Sequence, residues 1–232
     1  LEEDLETQLI TNVDVTPGNN PDSERTVPMV AEQQALLGAT PDELLGDSQC
    51  VTTDDRVALA KLGVQPVAKL PPASNGGRFS KQDFELDLEH GTVTCPAGHT
   101  TTRVYASRDR QGRKVQQFRF PAEHCQQCTM KPRCTRSKYG RTVTLHYHEE
   151  VLQAAREYNQ TDEFQERYRH RAAVERKLGE LLWHHGLRFG RYFGTQKTKL
   201  QALWTAAVVN LKRLGKLVPE LFRPTARARS AA

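Results

Sequence analysis

Glu43-Leu44-Leu45-Gly46-Asp47, then Thr53-Asp54-Asp55-Arg56-Val57-Ala58-Leu59-Ala60-Lys61-Leu62, then Val64-Gln65-Pro66-Val67-Ala68-Lys69-Leu70, alternate in a way that sets the fold class. Leu44-Leu45 is a short apolar run that suits a buried strand. Thr53 can cap a helix that Gly63 can stop, and the run from Val64 to Leu70 again reads as a strand. Towards the beginning of the chain, residues 7–16 (Thr-Gln-Leu-Ile-Thr-Asn-Val-Asp-Val-Thr) are rich in β-branched side chains and predict a strand. Pro17-Gly18-Asn19-Asn20-Pro21-Asp22 predicts a turn or loop. Val27 to Leu37 has apolar residues at helical spacing and a stop at Gly38. Residues 1–70 therefore read strand, helix, strand, helix, strand, the order of an α/β sheet with crossover helices.

In the other direction, Pro71-Pro72-Ala73-Ser74-Asn75-Gly76-Gly77 interrupts this alternation. Residues 71–147 hold short strand-like pieces (Phe84 to Leu88, Thr101 to Tyr105, Gln116 to Phe120, Arg141 to Tyr147) and four of the five cysteines, and read as a β-rich insertion. From Glu149 to about His185 there is one glycine, Gly179, and no proline, which predicts a long helix with Val174, Leu178, Leu181, Leu182 and His185 on one side. A second helix is predicted from about Lys197 to Leu217, with Leu200, Leu203, Ala207, Leu211 and Leu214 forming its stripe. Residues 148–218 thus return to the core as helices, and residues 219–232 read as a basic, flexible tail.

Of the 232 residues, 37% are hydrophobic and 26% charged, a balance that permits a sizeable core and excludes collagen-like and wholly disordered classes. Apolar runs such as Ala206-Ala207-Val208-Val209 fall far short of the roughly 18 residues of a membrane span. No basic-then-apolar leader opens the sequence, so the expectation is a cytoplasmic protein without a membrane partner. Leu1 in place of Met, and the acidic start, suggest a piece of a longer protein. The net charge of +5 conceals a division: residues 1–60 hold 13 acids and 2 arginines, giving −11, and the remainder gives +16. Such a division can place carboxylates beside a polyanion-binding surface; solvated helix faces account for it equally well.

Cys95-Pro96-Ala97-Gly98-His99 is followed by Cys125-Gln126-Gln127-Cys128 and then Cys134. Two thiolates three positions apart can grip one metal ion, and a closed tetrahedral set of Cys95, Cys125, Cys128 and Cys134, with His99 as the alternative ligand, would make a structural zinc site. An iron–sulfur cluster, or free thiols in a reducing compartment, fit the same residues. Cys50 stands apart as a small buried side chain.

Tyr168, Arg171 and Glu175 are spaced to share one helix face, where an arginine could fix the rotamer of a glutamate used to grip a divalent cation; an ordinary i, i+4 ion pair has the same spacing. Asp47 ends the Leu44-Leu45 run, and strand ends of α/β sheets are where ligands collect, although a turn or cap aspartate is the commoner occurrence. Asp14 and Asp22 could each approach a metal, and neither spacing is diagnostic.

Several of these stretches, taken in order, resemble the DDE transposases of bacterial insertion sequences. Residues 9–23 resemble the strand and loop that precede the second catalytic aspartate, and Leu45-Gly46-Asp47-Ser48-Gln49-Cys50-Val51 resembles the strand that carries it. Cys95-Pro96-Ala97-Gly98 with Cys125, Cys128, Cys134 and Thr135 resembles the cysteine-bearing insertion of one branch. Tyr168-x2-Arg171-x3-Glu175 resembles the helix signature of the catalytic glutamate, and residues 186–198 and 206–214 resemble the closing segment.

This resemblance implies a partial ribonuclease-H-like catalytic core with a β-rich, cysteine-containing insertion and long C-terminal helices. It implies two Mg2+ ions held by two aspartates and a glutamate, of which Asp47 would be the second ligand and Glu175 the third. Tyr168 and Arg171 would position Glu175 or contact phosphate, and Lys197 and Lys199 would help to hold DNA, the transposon ends and target, in a possible homo-oligomer. Three departures accompany it. No aspartate precedes residues 9–16 where the family's first ligand belongs, Asp4 lying too close to the next strand, so the resemblance implies an amino-terminally truncated chain. The Asp-Ser/Ala-Gly-Tyr pattern reads Asp47-Ser48-Gln49-Cys50. Leu182 stands where the signature has a lysine, with Lys177 and His184 nearby. The expectation is a transposase fragment for metal-dependent DNA cleavage and strand transfer, inactive alone; the alternative is a non-catalytic, metal-stabilised DNA-binding protein derived from a transposase.

Overall fold

The computed structural model describes residues 1–73, 75–109 and 112–222. The chain divides into two units, one formed by residues 1–69 with those from Asn159 onward, the other by residues 70–158.

The first unit opens with β1 (Glu2–Glu3) paired antiparallel to β2 (Ile10–Asn12). Asp4 ties the intervening turn, its carboxylate accepting the Thr7 N–H at 2.8 Å. The strand expected over residues 7–16 is therefore only three residues long. Beyond Asn12 the chain is held by side chains, as where Asp14 Oδ1 accepts the Val15 N–H at 2.9 Å.

Helix α1 (Thr26–Leu37) ends at Gly38, whose φ of 72° is the left-handed conformation of a helix stop. Then come β3 (Glu43–Gly46), α2 (Thr53–Lys61) and β4 (Gln65–Ala68), with β3 and β4 parallel and Leu45 opposite Val67. The cap of α2 is Thr52 rather than Thr53: the Thr52 hydroxyl accepts the Asp55 N–H at 3.2 Å, and Asp55 Oδ2 accepts the Thr52 N–H at 2.8 Å. This reciprocal box satisfies two otherwise orphaned donors. Val30, Val51, Leu59, Val64 and Ala68 form the core beneath the β3–β4 pair.

In the second unit β5 (Glu85–Asp87), β6 (Thr92–Thr94) and β7 (Thr100–Thr101) form one antiparallel sheet, and β8 (Val104–Arg108), β9 (Lys114–Arg119) and β10 (Thr142–His146) another, with β9 central. Two short helices, α3 (Ala122–Gln127) and α4 (Lys131–Cys134), lie between β9 and β10, and α5 (Glu149–Tyr158) closes the unit. Phe84, Val93, Phe118, Phe120, Val143 and Leu145 make its core. Glu149 is buried there between Lys81 (2.6 Å) and Arg156 (3.4 Å), and it accepts the His146 N–H at 2.9 Å.

The expected continuous helix from Glu149 to His185 is three helices. After α5 come α6 (Asp162–Arg169) and α7 (Ala172–His184). The first break needs neither glycine nor proline, because Thr161 caps α6 by accepting the Phe164 N–H at 3.1 Å. The second is a tight turn in which the Arg171 N–H donates to the Tyr168 carbonyl at 3.1 Å.

The long α8 (Thr195–Leu217) buries Ala202, Ala206 and Val209 against Ile10, Val13 and Leu181. The expected stripe is thereby corrected: Leu200, Leu203 and Leu211 are exposed. α8 carries apolar residues on two faces, and the one lined with small side chains allows the closer approach to β2. Asn210 fastens the contact. Its amide oxygen accepts the Ile10 N–H and its amide nitrogen donates to the Ile10 carbonyl, each at 2.8 Å. A short 3-10 turn spans Pro219–Phe222, and the tail expected over residues 219–232 otherwise lies outside the described residues.

Candidate active site and cysteine cluster

Strand β3 delivers Asp47 to the rim of a cavity of about 420 Å3 within the first unit. Asp14, Asp22, Arg25, Arg171, Glu175 and Glu2 also line it. Asp47 folds back on the chain that follows it. Its Oδ1 accepts the N–H groups of Gln49 and Cys50, both at 2.8 Å. Burial pushes the Asp47 carboxyl up, but the hydrogen bonds from Cys50 and Gln49 and the charge of Arg171 outweigh it, so its pKa lies below the usual aspartate value. The neighbouring Cys50 thiol is pushed up to about 11 by burial, reinforced by the hydrogen bond and charge of Asp47.

Arg171, at the entrance of α7, pairs with Glu175 one turn on, Nη2 to Oε1 at 2.6 Å. Its guanidinium lies 5.6 Å from the centre of the Tyr168 ring, and Tyr168 stacks on buried Phe164 at 5.2 Å with Lys69 over its face at 4.8 Å. The three signature residues therefore form a relay of contacts in which Tyr168 backs Arg171 and Arg171 holds Glu175, even though the helix is broken between the first two.

Asp14 has both oxygens occupied. Arg25 Nε pairs with Oδ2, and Lys199 Nζ lies 2.7 Å from Oδ1. Burial raises its pKa, but the hydrogen bonds from Lys199 and the Val15 N–H, with the charges of Arg25 and Lys199, lower it overall. Lys199, read from the sequence as a DNA-holding residue, is thus engaged with a carboxylate inside the unit. Lys197 lines a separate surface groove with His185, Arg191, Tyr192 and Trp204. Sequence reasoning missed Arg25 and Glu2. Burial raises the Glu2 carboxyl to about 7, with Glu32 adding to the rise and the N-terminal amine opposing it. Nothing local in the sequence marks Arg25, since its partner Asp14 is met only through the fold.

In the second unit Cys95, Cys125, Cys128 and Cys134 line one small cavity of about 30 Å3 together with His99 and His124. The two imidazoles stack with centres 5.0 Å apart. All five cysteines of the chain are free thiols. Among the described residues, no three His, Cys, Asp or Glu side chains are placed to hold a metal ion as they stand, so the zinc expected at these cysteines finds no preformed ligand set.

A family model for the transposase DDE domain matches residues 94–215, more than half of the chain. The chain belongs to this transposase family. The matched residues include the four clustered cysteines, Tyr168, Arg171, Glu175, Lys197 and Lys199; Asp14 and Asp47 precede them. No curated protein and no solved structure matches the chain. Among the described residues, no helix is long and apolar enough to cross a membrane.

Proposed function

We propose that this transposase-family chain carries two acidic ligands, Asp47 and Glu175, of a site for metal-dependent cleavage and strand transfer of DNA, on a core of ribonuclease-H-like type. The observation that carries the reading is that Asp47, from the end of a parallel strand, and Glu175, from the first turn of α7, line one cavity although 128 positions separate them in the numbering of the chain. Carboxylates are the ligand type for Mg2+, a hard cation that takes carboxylate oxygens and keeps several waters, and among the described residues no third potential ligand is placed with these two to hold it. Bound there, the cation would supply charge neutralisation at the scissile phosphate and a more acidic water.

The protein's own groups have separate roles in this reading. Asp47 is held in one rotamer by the Gln49 and Cys50 amides. Arg171 orients Glu175 and, with Arg25, supplies positive charge at the cavity that a phosphate could meet. Tyr168 supports Arg171 from behind. DNA, the proposed partner, would be gripped through phosphate contacts along the basic part of the chain, with affinity that falls steeply as salt rises.

Asp14 and Asp22 are the other aspartates that line the cavity, and Arg25 and Lys199 neutralise Asp14. For that reason residues 1–232 alone are expected to bind DNA without cutting it. This pairing also favours the second reading, a DNA-binding protein without catalysis.

Titration with Mn2+, followed by electron paramagnetic resonance, tests the site. Binding to the wild type that disappears in Asp47→Asn/Glu175→Gln, with DNA affinity retained, is expected. Equal Mn2+ binding by both proteins removes the proposal. A plasmid-nicking assay in Mg2+ or Mn2+ tests the expected inactivity, which robust nicking abolished by Glu175→Ala would overturn.

A further inference from the structure

We propose that the groove between α8 and residues 185–192 binds unpaired nucleotides of single-stranded DNA, stacking bases on Trp204 and Tyr192 and holding phosphates with Arg191 and Lys197. The inference rests on DNA being the partner, as proposed above, and is independent of the carboxylate cavity.

One wall of the groove is a face of α8. Lys197, Leu200, Gln201, Trp204, Thr205 and Val208 recur with the helical turn and line it. None of them belongs to the core in which Ala202, Ala206 and Val209 of the same helix meet Ile10 and Val13. The other wall is fastened to this face. Gln201 Oε1 accepts the Arg191 N–H at 2.8 Å, and Gln201 Nε2 donates to the Phe189 carbonyl at 3.1 Å. The Thr198 hydroxyl donates to the Gly194 carbonyl at 3.1 Å, which ties the end of the loop to the first turn of α8. The space between the walls is about 570 Å3, within the about 300–1,000 Å3 of ligand-binding clefts, and it is shaped before any ligand arrives.

The lining has two chemistries. Trp204 is 67% exposed and Tyr192 56%, so two large aromatic side chains that the fold leaves unburied flank one cleft. Arg191 and Lys197 add positive charge, and no carboxylate lines the groove. Lys199, two residues further along α8, is by contrast held by Asp14 at 2.7 Å.

Aromatic faces beside cations match a polyanion whose bases are free to stack. A duplex covers its base faces with neighbouring pairs and offers phosphates and base edges, so it leaves Trp204 and Tyr192 unused. A second copy of the chain is disfavoured as occupant. α8 carries Lys197, Lys199, Lys212, Arg213 and Lys216 and no acidic residue, so self-pairing in either direction sets like charges against one another.

The test is fluorescence anisotropy of labelled oligothymidylate and of a labelled duplex, at one salt concentration, with the whole chain. Stacking on an aromatic side chain predicts that Trp204→Ala weakens single-strand binding about 5- to 100-fold and duplex binding less than twofold, while Trp204→Phe keeps most of the affinity. Trp204 is exposed, so thermal unfolding should be unchanged in both variants. In Trp183→Phe, where Trp204 is the one remaining tryptophan, oligothymidylate should quench the emission and the duplex should not. Lys197→Ala should lower the salt dependence of single-strand binding by about one phosphate contact. Duplex binding that persists while Trp204→Ala leaves the single strand unaffected overturns the groove and spares the DNA reading. Failure of the wild type to bind either DNA removes both. Dissociation of a wild-type oligomer by Trp204→Ala, seen in sedimentation equilibrium without DNA, makes the groove an interface between copies and overturns the proposal.

Discussion

Replacing Asn210 by alanine removes both hydrogen bonds that the α8 side chain makes with the backbone of Ile10. Ile10 is 7% exposed and packs in the core with Val13, Leu181 and Ala206, so water reaches its N–H and C=O groups poorly once the amide has gone. Leaving one buried backbone group unsatisfied costs about 1–3 kcal/mol, and the two groups share one site, so the expected loss is about 2–4 kcal/mol in the first unit. Asn210→Asp separates the two bonds: the carboxylate still accepts the Ile10 N–H but faces its carbonyl without a donor, and this variant should be at least as unstable. The assay is amide hydrogen exchange together with urea unfolding. Exchange at Ile10 and Asn12 should speed up about 30-fold or more, since each 1.4 kcal/mol is a factor of ten, while amides of β8–β10 in the second unit keep their rates. A loss below about 0.5 kcal/mol, or equal acceleration in both units, would refute the assignment of Asn210 as the fastening of β2 to α8.

Glu149→Ala should destabilise the second unit by about 3–5 kcal/mol, because Lys81 and Arg156 then keep their charges without a buried partner; recovery of most of that loss in Lys81→Met/Glu149→Leu, read by thermal unfolding, checks the cause. Glu2 has a folded pKa near 7 against an ordinary 4.5, so the stability associated with its neutral form is complete below about 4.5 and is lost as pH rises through 7. Glu2→Gln should accordingly raise stability by about 1–2 kcal/mol at pH 8, discounted for its partial exposure, and change little at pH 4.5; a pH-independent effect contradicts the burial argument. Lys199→Met should free one oxygen of Asp14 and tighten Mn2+ binding roughly 3- to 10-fold by removing a competing charge, and unchanged or weaker binding counts against a place for Asp14 near the cation.

How far the sequence discloses this protein depends on how local each signal is. The β3–α2–β4 segment is legible because its cap, its glycine stop and its apolar strands all lie within a few residues of one another, and the only slip is by one position, from Thr53 to Thr52. The long helix reads wrongly because glycine and proline are not the sole breakers; Thr161 restarts a helix by offering a better cap than the preceding turn offers a continuation. The face of α8 reads wrongly because leucine outranks alanine in hydrophobicity, whereas close approach to β2 selects Ala202 and Ala206. The gathering of the cysteines follows from their spacing, and the Arg171–Glu175 contact from one helical turn. The Asp14–Arg25–Lys199 cluster is invisible in the sequence, since its members meet only after α8 has returned to the start of the chain.

That return has a temporal meaning. The partners of the Ile10–Asn210 contact are 200 residues apart, so at about 5–20 residues per second a ribosome needs roughly 10–40 s between making one and making the other. Throughout that interval the early strand must wait with its apolar face uncovered, while every residue of the second unit emerges and can fold independently. In a nascent chain of this kind the surface that waits uncovered lies at the beginning rather than the middle, and a pause placed just before α8 would lengthen that wait more than the same pause placed anywhere after it.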